Sequence, residues 1–119
     1  MKILAIDDNE DILSLVKVVL ESEGHDFVSV NDGRSGLKLM EENTYGAVLL
    51  DVAMPGFSGK DVINALVKNG IIKKQPIILF TASSITDSEI DEMIKQGVYS
   101  CLRKPMEIDT LLELLKNFS

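Results

Sequence analysis

At 119 residues the chain suits one domain, residues 1–119, and its 45% apolar content is enough for an independent core. A formal charge of −7 argues against nucleic-acid binding, because phosphate contacts need clustered Lys and Arg and the only basic runs are Lys73-Lys74 and Arg103-Lys104. No apolar run approaches the roughly 20 residues that span a bilayer, the start lacks a signal-peptide layout, and the one cysteine, Cys101, has no internal disulfide partner; a cytoplasmic location without membrane insertion is expected.

Lys2 to Ile6 reads as a short buried strand, apolar and followed by acids. Asp8 or Asn9 can cap the helix that follows, whose Ile12, Val16 and Val19 recur at helical spacing and which Gly24 stops. A second strand covers Phe27 to Val30, and a helix from near Asp32-Gly33 puts Leu37 and Met40 on one face. Ala47 to Leu50 is wholly apolar, as a strand covered on both faces should be, and Asp51 ends it. After a Met-Pro-Gly loop, Ser58 and Asp61 have capping-box spacing, and the helix they open ends at Gly70. Pro76 leads into a fourth strand, Ile77 to Phe80, ended by Thr81. Thr86 with Glu89 forms another capping box before Ile90, Met93 and Ile94. Val98 to Leu102 reads as the fifth strand. Ile108, Leu111, Leu112, Leu115 and Phe118 mark a last helix.

Five strands alternating with five helices predict an α/β fold with a doubly wound parallel sheet. The flavodoxin-like (βα)5 strand order 2-1-3-4-5 is the natural choice. In such a sheet the carboxyl ends of the strands share one edge, where ligands bind. Asp7-Asp8, Asp51, Thr81 and Lys104 each follow or end a strand-like segment, so they should converge there. Converging carboxylates repel unless a cation, a proton or a lysine intervenes. The pattern therefore predicts a divalent-metal site with a single reactive carboxylate. Taken singly, each residue has an ordinary explanation: a helix cap for Asp7-Asp8, a turn for Asp51, a loop hydroxyl for Thr81, a surface charge for Lys104. Their joint arrangement is what those explanations do not produce.

Over its full length the chain resembles a response-regulator receiver domain, most like a stand-alone chemotaxis-type receiver. The resemblance rests on Asp7-Asp8, on Asp51 within Asp51 to Gly59 (DVAMPGFSG), on Thr81-Ala82 and on Lys104-Pro105. It implies that Asp51 accepts a phosphoryl group from a sensor histidine kinase or phosphotransfer protein. It further implies that Asp8, Asp51 and the Ala53 carbonyl ligate Mg²⁺ directly, and that Asp7 acts mainly through a bound water. Thr81 would bond a phosphoryl oxygen, Lys104 would pair with the phosphoryl group and Asp51, and the Lys104-Pro105 bond would be cis. The output would be a change in the face formed by helix 4, strand 5 and helix 5, read by a downstream protein target. Such a domain phosphorylates itself and loses the phosphate slowly, without being a turnover enzyme. Independently, phosphoryl transfer needs positioning and charge neutralisation above all, Mg²⁺ prefers oxygen ligands and keeps several waters, and an aspartyl phosphate is reactive enough to be a reversible signal.

The chain departs from the family pattern at Cys101, where many receivers carry a switching aromatic. Tyr99 has the same strand parity and is the candidate to cover part of the output face. Ala53 and Ser83, two residues after Asp51 and Thr81, stand where the family tunes water attack; Ala53 offers no polar group, so slow autodephosphorylation is expected. Competing readings are a Mg²⁺-dependent phosphohydrolase with an aspartate nucleophile, a flavodoxin-like cofactor binder and a phosphorylation-independent docking domain. Ala53 stands where the first usually has a second Asp, and the Asp-Asp-Asn loop repels a flavin phosphate. His25 reads as an exposed loop residue, Met40 and Met93 as packing residues, and Lys73-Lys74 as a solvated loop.

Overall fold

The computed structural model describes residues 1–81, 85–104 and 107–118, with the Phe118 side chain outside the description. Five strands, β1 (Lys2–Ile6), β2 (Asp26–Val30), β3 (Ala47–Asp51), β4 (Ile77–Thr81) and β5 (Ser100–Arg103), form one sheet in the order β2-β1-β3-β4-β5. Every neighbouring pair is parallel. Between and after them run α1 (Glu10–Ser22), α2 (Gly33–Glu42), α3 (Gly59–Lys68), α4 (Asp87–Gln96) and α5 (Ile108–Leu115), and a 3₁₀ turn at Lys116–Phe118 closes the chain described.

The two-residue period of the strands divides the core into two layers. Leu4, Ile6, Val48, Leu50, Ile77 and Leu79 point to one face and pack with Met40, Val62, Ile63, Leu66 and Met93 from α2, α3 and α4. Ile3, Ala5, Ala47, Leu49, Ile78 and Phe80 point to the other and pack with Leu13, Val16, Leu20, Leu111 and Leu115 from α1 and α5. β3 and β4 are buried at every residue, which is why they read as unbroken apolar runs, while the edge strand β2 is only partly buried.

Helix starts are fixed by side chains. Asn9 accepts from the Asp11 and Ile12 amides, and Asp32 accepts from the Ser35 amide. Ser58 with Asp61 and Thr86 with Glu89 form complete capping boxes. An ion pair from Lys60 on α3, together with the Thr86 bonds, holds the Glu89 carboxyl below its ordinary range. Gly24 follows α1 at φ +84°, a conformation that favours glycine in this chain-reversing position.

Two expectations need correction. β5 begins at Ser100, not at Val98, because the Val98 amide donates to the Met93 carbonyl and so closes the end of α4. Tyr99 therefore precedes the strand. It is 47% exposed and lines a shallow hollow with Lys73, Gln75 and Pro76 at the amino edge of the sheet. His25 is half-buried rather than an exposed loop residue, with its Nδ1 3.2 Å from the Met1 amino group. Met40 and Met93 are buried packing residues, and Lys73 and Lys74 are exposed.

Candidate functional site

The carboxyl ends of β1, β3, β4 and β5 bring Asp7, Asp8, Asp51, Thr81 and Lys104 to one edge of the sheet. Asp51 is the last residue of β3, paired in register with Phe80, and Thr81 is the last residue of β4, paired with Arg103. The Lys104 amide donates to the Thr81 carbonyl at 2.7 Å, which locks the residue after β5 onto the end of β4. Asp7, Asp51 and Thr81 are 2%, 3% and 0% exposed, whereas Asp8 faces solvent.

Asp7, Asp8 and Asp51 each offer a carboxylate oxygen, and these oxygens lie within 4.8 Å of one another. The Lys104 ammonium reaches into the cluster from 97 residues away, donating to Asp7 Oδ2 at 3.2 Å and standing 3.5 Å from Asp51 Oδ1. Asp7 also accepts from the Asn9 amide at 2.9 Å, and Asp51 from the Ala53 amide at 3.3 Å. Burial of Asp51 raises its pKa first of all and the nearby Asp7 charge adds to this; Lys104 and the Ala53 amide oppose them, leaving the carboxyl at about 6. At neutral pH Asp51 is thus ionised but a stronger base than an ordinary aspartate. Three hard oxygen donors around an exposed opening suit a small divalent cation that keeps part of its water shell.

The loop after Asp51 is held from two sides. A Cβ on Gly59 would lie 2.4 Å from the Asp51 carbonyl oxygen and 2.6 Å from Val52 Cα, so only glycine lets α3 start this close to the end of β3. Gly59→Ala is expected to lower stability by about 1–3 kcal/mol, read from the urea midpoint, because the clash is with backbone that cannot rotate away. On the other side, the start of α2 presses on the loop. A Cβ on Gly33 would meet the Phe57 carbonyl oxygen at 2.3 Å, and the Arg34 guanidinium stacks 4.6 Å from the Phe57 ring centre. Sequence reasoning missed this contact, since nothing in the local pattern links Arg34 to a residue 23 positions later. Pro55 is exposed in the same loop.

Thr81 carries a further contact that sequence reasoning missed. Its Oγ1 lies 3.6 Å from Cys101 Sγ, a diagonal cross-strand pair on the face covered by α4. From the end of β5, Arg103 donates to the Ile85 carbonyl at 3.0 Å and pairs with Asp87 at 2.5 Å, tying that strand to the start of α4. The site residues Asp7, Asp8, Asp51, Thr81 and Lys104 are all brought together, with Ala53 exposed just beyond Asp51. Ala82, Ser83, Pro105 and the expected cis bond lie outside the described residues.

Comparison with known proteins gives a consistent result. A family model described as the response regulator receiver domain matches residues 3–116. The uncharacterized transcriptional regulatory protein YkoG of Bacillus subtilis (strain 168) is 36% identical over 115 residues, covering 96% of this chain and 49% of that protein. The chain thus spans about half the length of that relative. The Francisella response regulator 1452 receiver domain superposes with a TM-score of 0.88 at 29% identity, over 98% of this chain and 94% of that one. The response regulator TrrA of Thermotoga maritima, solved in complex with Mg²⁺ and BeF, gives a TM-score of 0.81 at 28% identity, over 99% and 98% of the two chains.

Proposed function

The chain belongs to the response regulator receiver domain family of two-component systems, and from that premise we propose that residues 1–119 act as one receiver domain that accepts a phosphoryl group on Asp51. The donor is a phosphohistidine on a sensor histidine kinase or phosphotransfer protein, and the acceptor state signals to a downstream protein target. The observation that carries this reading is Lys104: one ammonium placed 3.2 Å from Asp7 and 3.5 Å from Asp51, at the mouth of a three-carboxylate cluster.

In the transfer, an Asp51 oxygen forms a bond to phosphorus while the phosphorus–nitrogen bond of the donor breaks. The electron pair of that bond stays on the departing imidazole. The raised basicity of Asp51 favours it as the attacking group. Lys104, already drawn to Asp51, is placed to follow the charge onto a phosphoryl oxygen, and the Thr81 hydroxyl is a second donor at the same edge. Mg²⁺, held by Asp7, Asp8, Asp51 and the Ala53 carbonyl, would neutralise the charge on the phosphoryl oxygens. Water later cleaves the acyl phosphate, slowly, because Ala53 has no side-chain group to orient it. The chemistry is self-phosphorylation and self-dephosphorylation; members of this family are not turnover enzymes in the ordinary sense. Among the described residues no helix is long and apolar enough to cross a membrane, which fits a cytoplasmic partner of a kinase.

The test is intact mass after incubation with acetyl phosphate, with Mg²⁺ and with chelator, for wild type and Asp51→Asn. One Mg²⁺-dependent phosphoryl adduct, absent in the variant, is expected. Continuous phosphate release without an adduct would instead indicate a phosphohydrolase. An adduct that persists in Asp51→Asn would overturn the assignment of the acceptor.

A further inference from the structure

We propose that Cys101 is the positioning residue for Thr81: its sulfur holds the Thr81 hydroxyl while the site is unphosphorylated and releases it when a phosphoryl oxygen becomes available. The inference rests on the receiver reading above and specifies how this chain, which lacks an aromatic at position 101, couples its site to β5.

Thr81 is fully buried, so its hydroxyl needs a partner. Among the described residues, that hydroxyl meets Cys101 Sγ at 3.6 Å, and either atom can donate. The backbone around the pair is fixed. Leu79 pairs with Cys101 and Thr81 with Arg103 in the β4–β5 ladder, and the Lys104 amide bonds the Thr81 carbonyl at 2.7 Å. The hydroxyl can therefore exchange partners by turning about its own side-chain torsion, with no movement of the ladder. Sulfur is a weak hydrogen-bonding atom, whereas a bond to a charged phosphoryl oxygen is roughly twice as strong as a neutral one. A threonine held by sulfur is satisfied at rest and easily drawn away. A bulky aromatic gates by occupying space; Cys101 acts by competing for one proton.

The consequence is directional. Removing the sulfur leaves the resting hydroxyl buried without its partner but leaves the phosphoryl-bound state intact, so it should tighten binding of a phosphoryl mimic. The experiment is calorimetric titration of beryllofluoride in Mg²⁺ into wild type, Cys101→Ala and Cys101→Val, each with Thr81 and with Thr81→Val. With Thr81 present, both substitutions are expected to raise affinity about two- to tenfold, the range of one neutral hydrogen bond. With Thr81→Val the same substitutions should change nothing, because the hydroxyl they act through is gone. An equal change in both backgrounds, or none in either, would overturn the proposal and leave Cys101 as packing. Failure of wild type to bind beryllofluoride at all would overturn the receiver reading itself. If the cysteine variants do not fold, iodoacetamide alkylation of Cys101 in otherwise native protein replaces them. Its rate should rise on adding beryllofluoride and Mg²⁺, and an unchanged rate in protein that binds the mimic would overturn the proposal.

Discussion

In metal-free protein, Asp51→Asn is expected to be more stable than wild type at pH 7.5, by about 1–3 kcal/mol in urea unfolding. The Asp51 carboxyl titrates at about 6 in the folded chain against an ordinary value of 3.8, and each unit of such a difference corresponds to about 1.4 kcal/mol. Because the folded-state pKa is raised, the folded chain binds the proton more tightly than the unfolded chain. The associated stability is complete below about pH 4, is lost as pH rises through about 6, and stays lost above that. Wild type in chelator should therefore lose stability between pH 4 and 6 through this group, and Asp51→Asn should lack that slope. Saturating Mg²⁺ should reverse the ranking by stabilising wild type through mass action and the variant far less. A variant no more stable than wild type in chelator at pH 7.5 would show that Lys104 alone neutralises the cluster. Such a result would remove the reason for a raised Asp51 basicity.

The contrast between strand ends and side-chain partners shows what the sequence could carry. β3 and β4 were legible because burial on both faces demands uninterrupted apolar residues, and the capping boxes at Ser58 and Thr86 because their chemistry is confined to one turn. The same logic located the site: in a parallel sheet, strand-terminal residues share an edge whatever their separation in the chain. β5 was misplaced by two residues because Val98 is apolar and strand-like, yet its amide is taken by the Met93 carbonyl of α4. His25 followed a glycine and looked exposed, but the edge of β2 carries it against Met1. Partner choice inside the site was harder still. The expected contact of Lys104 with Asp51 is present at 3.5 Å, but the shorter one at 3.2 Å, to Asp7, has no local signal. Thr81 and Cys101 meet only because a diagonal cross-strand contact aligns residues 20 apart, and Arg34 reaches Phe57 only because the start of α2 packs on the loop after β3. Local chemistry sets the elements, topology sets the edge, and individual pairs inside the edge depend on register and packing that no short window of sequence contains.

Lys104→Met should produce the opposite stability change, and it should slow phosphoryl transfer while leaving the acceptor in place. The substitution keeps most of the apolar stem and removes an ammonium that contacts both buried carboxylates, Asp7 and Asp51. Removing one partner of a buried ion pair leaves uncompensated charge. The Lys104 side chain is 25% exposed, so solvent relieves part of this, and a loss of about 1–3 kcal/mol is expected in chelator at pH 7.5. Two further signs separate this from a packing defect. The loss should shrink on lowering the pH towards 5, as a carboxyl takes up the proton that replaces the lysine charge. It should also be smaller in the Asp51→Asn background, where one of the two charges is already gone, so the pair of substitutions couples favourably. Adduct formation from acetyl phosphate should fall about 100-fold, the scale seen when a preorganised charge-stabilising donor is deleted. Mg²⁺ should still bind, because the carboxylate oxygens are untouched and no longer compete with an ammonium for their charge. An adduct rate close to wild type with Mg²⁺ present would remove Lys104 from the transfer chemistry and reduce it to the cation that lets Asp7 and Asp51 share a buried edge.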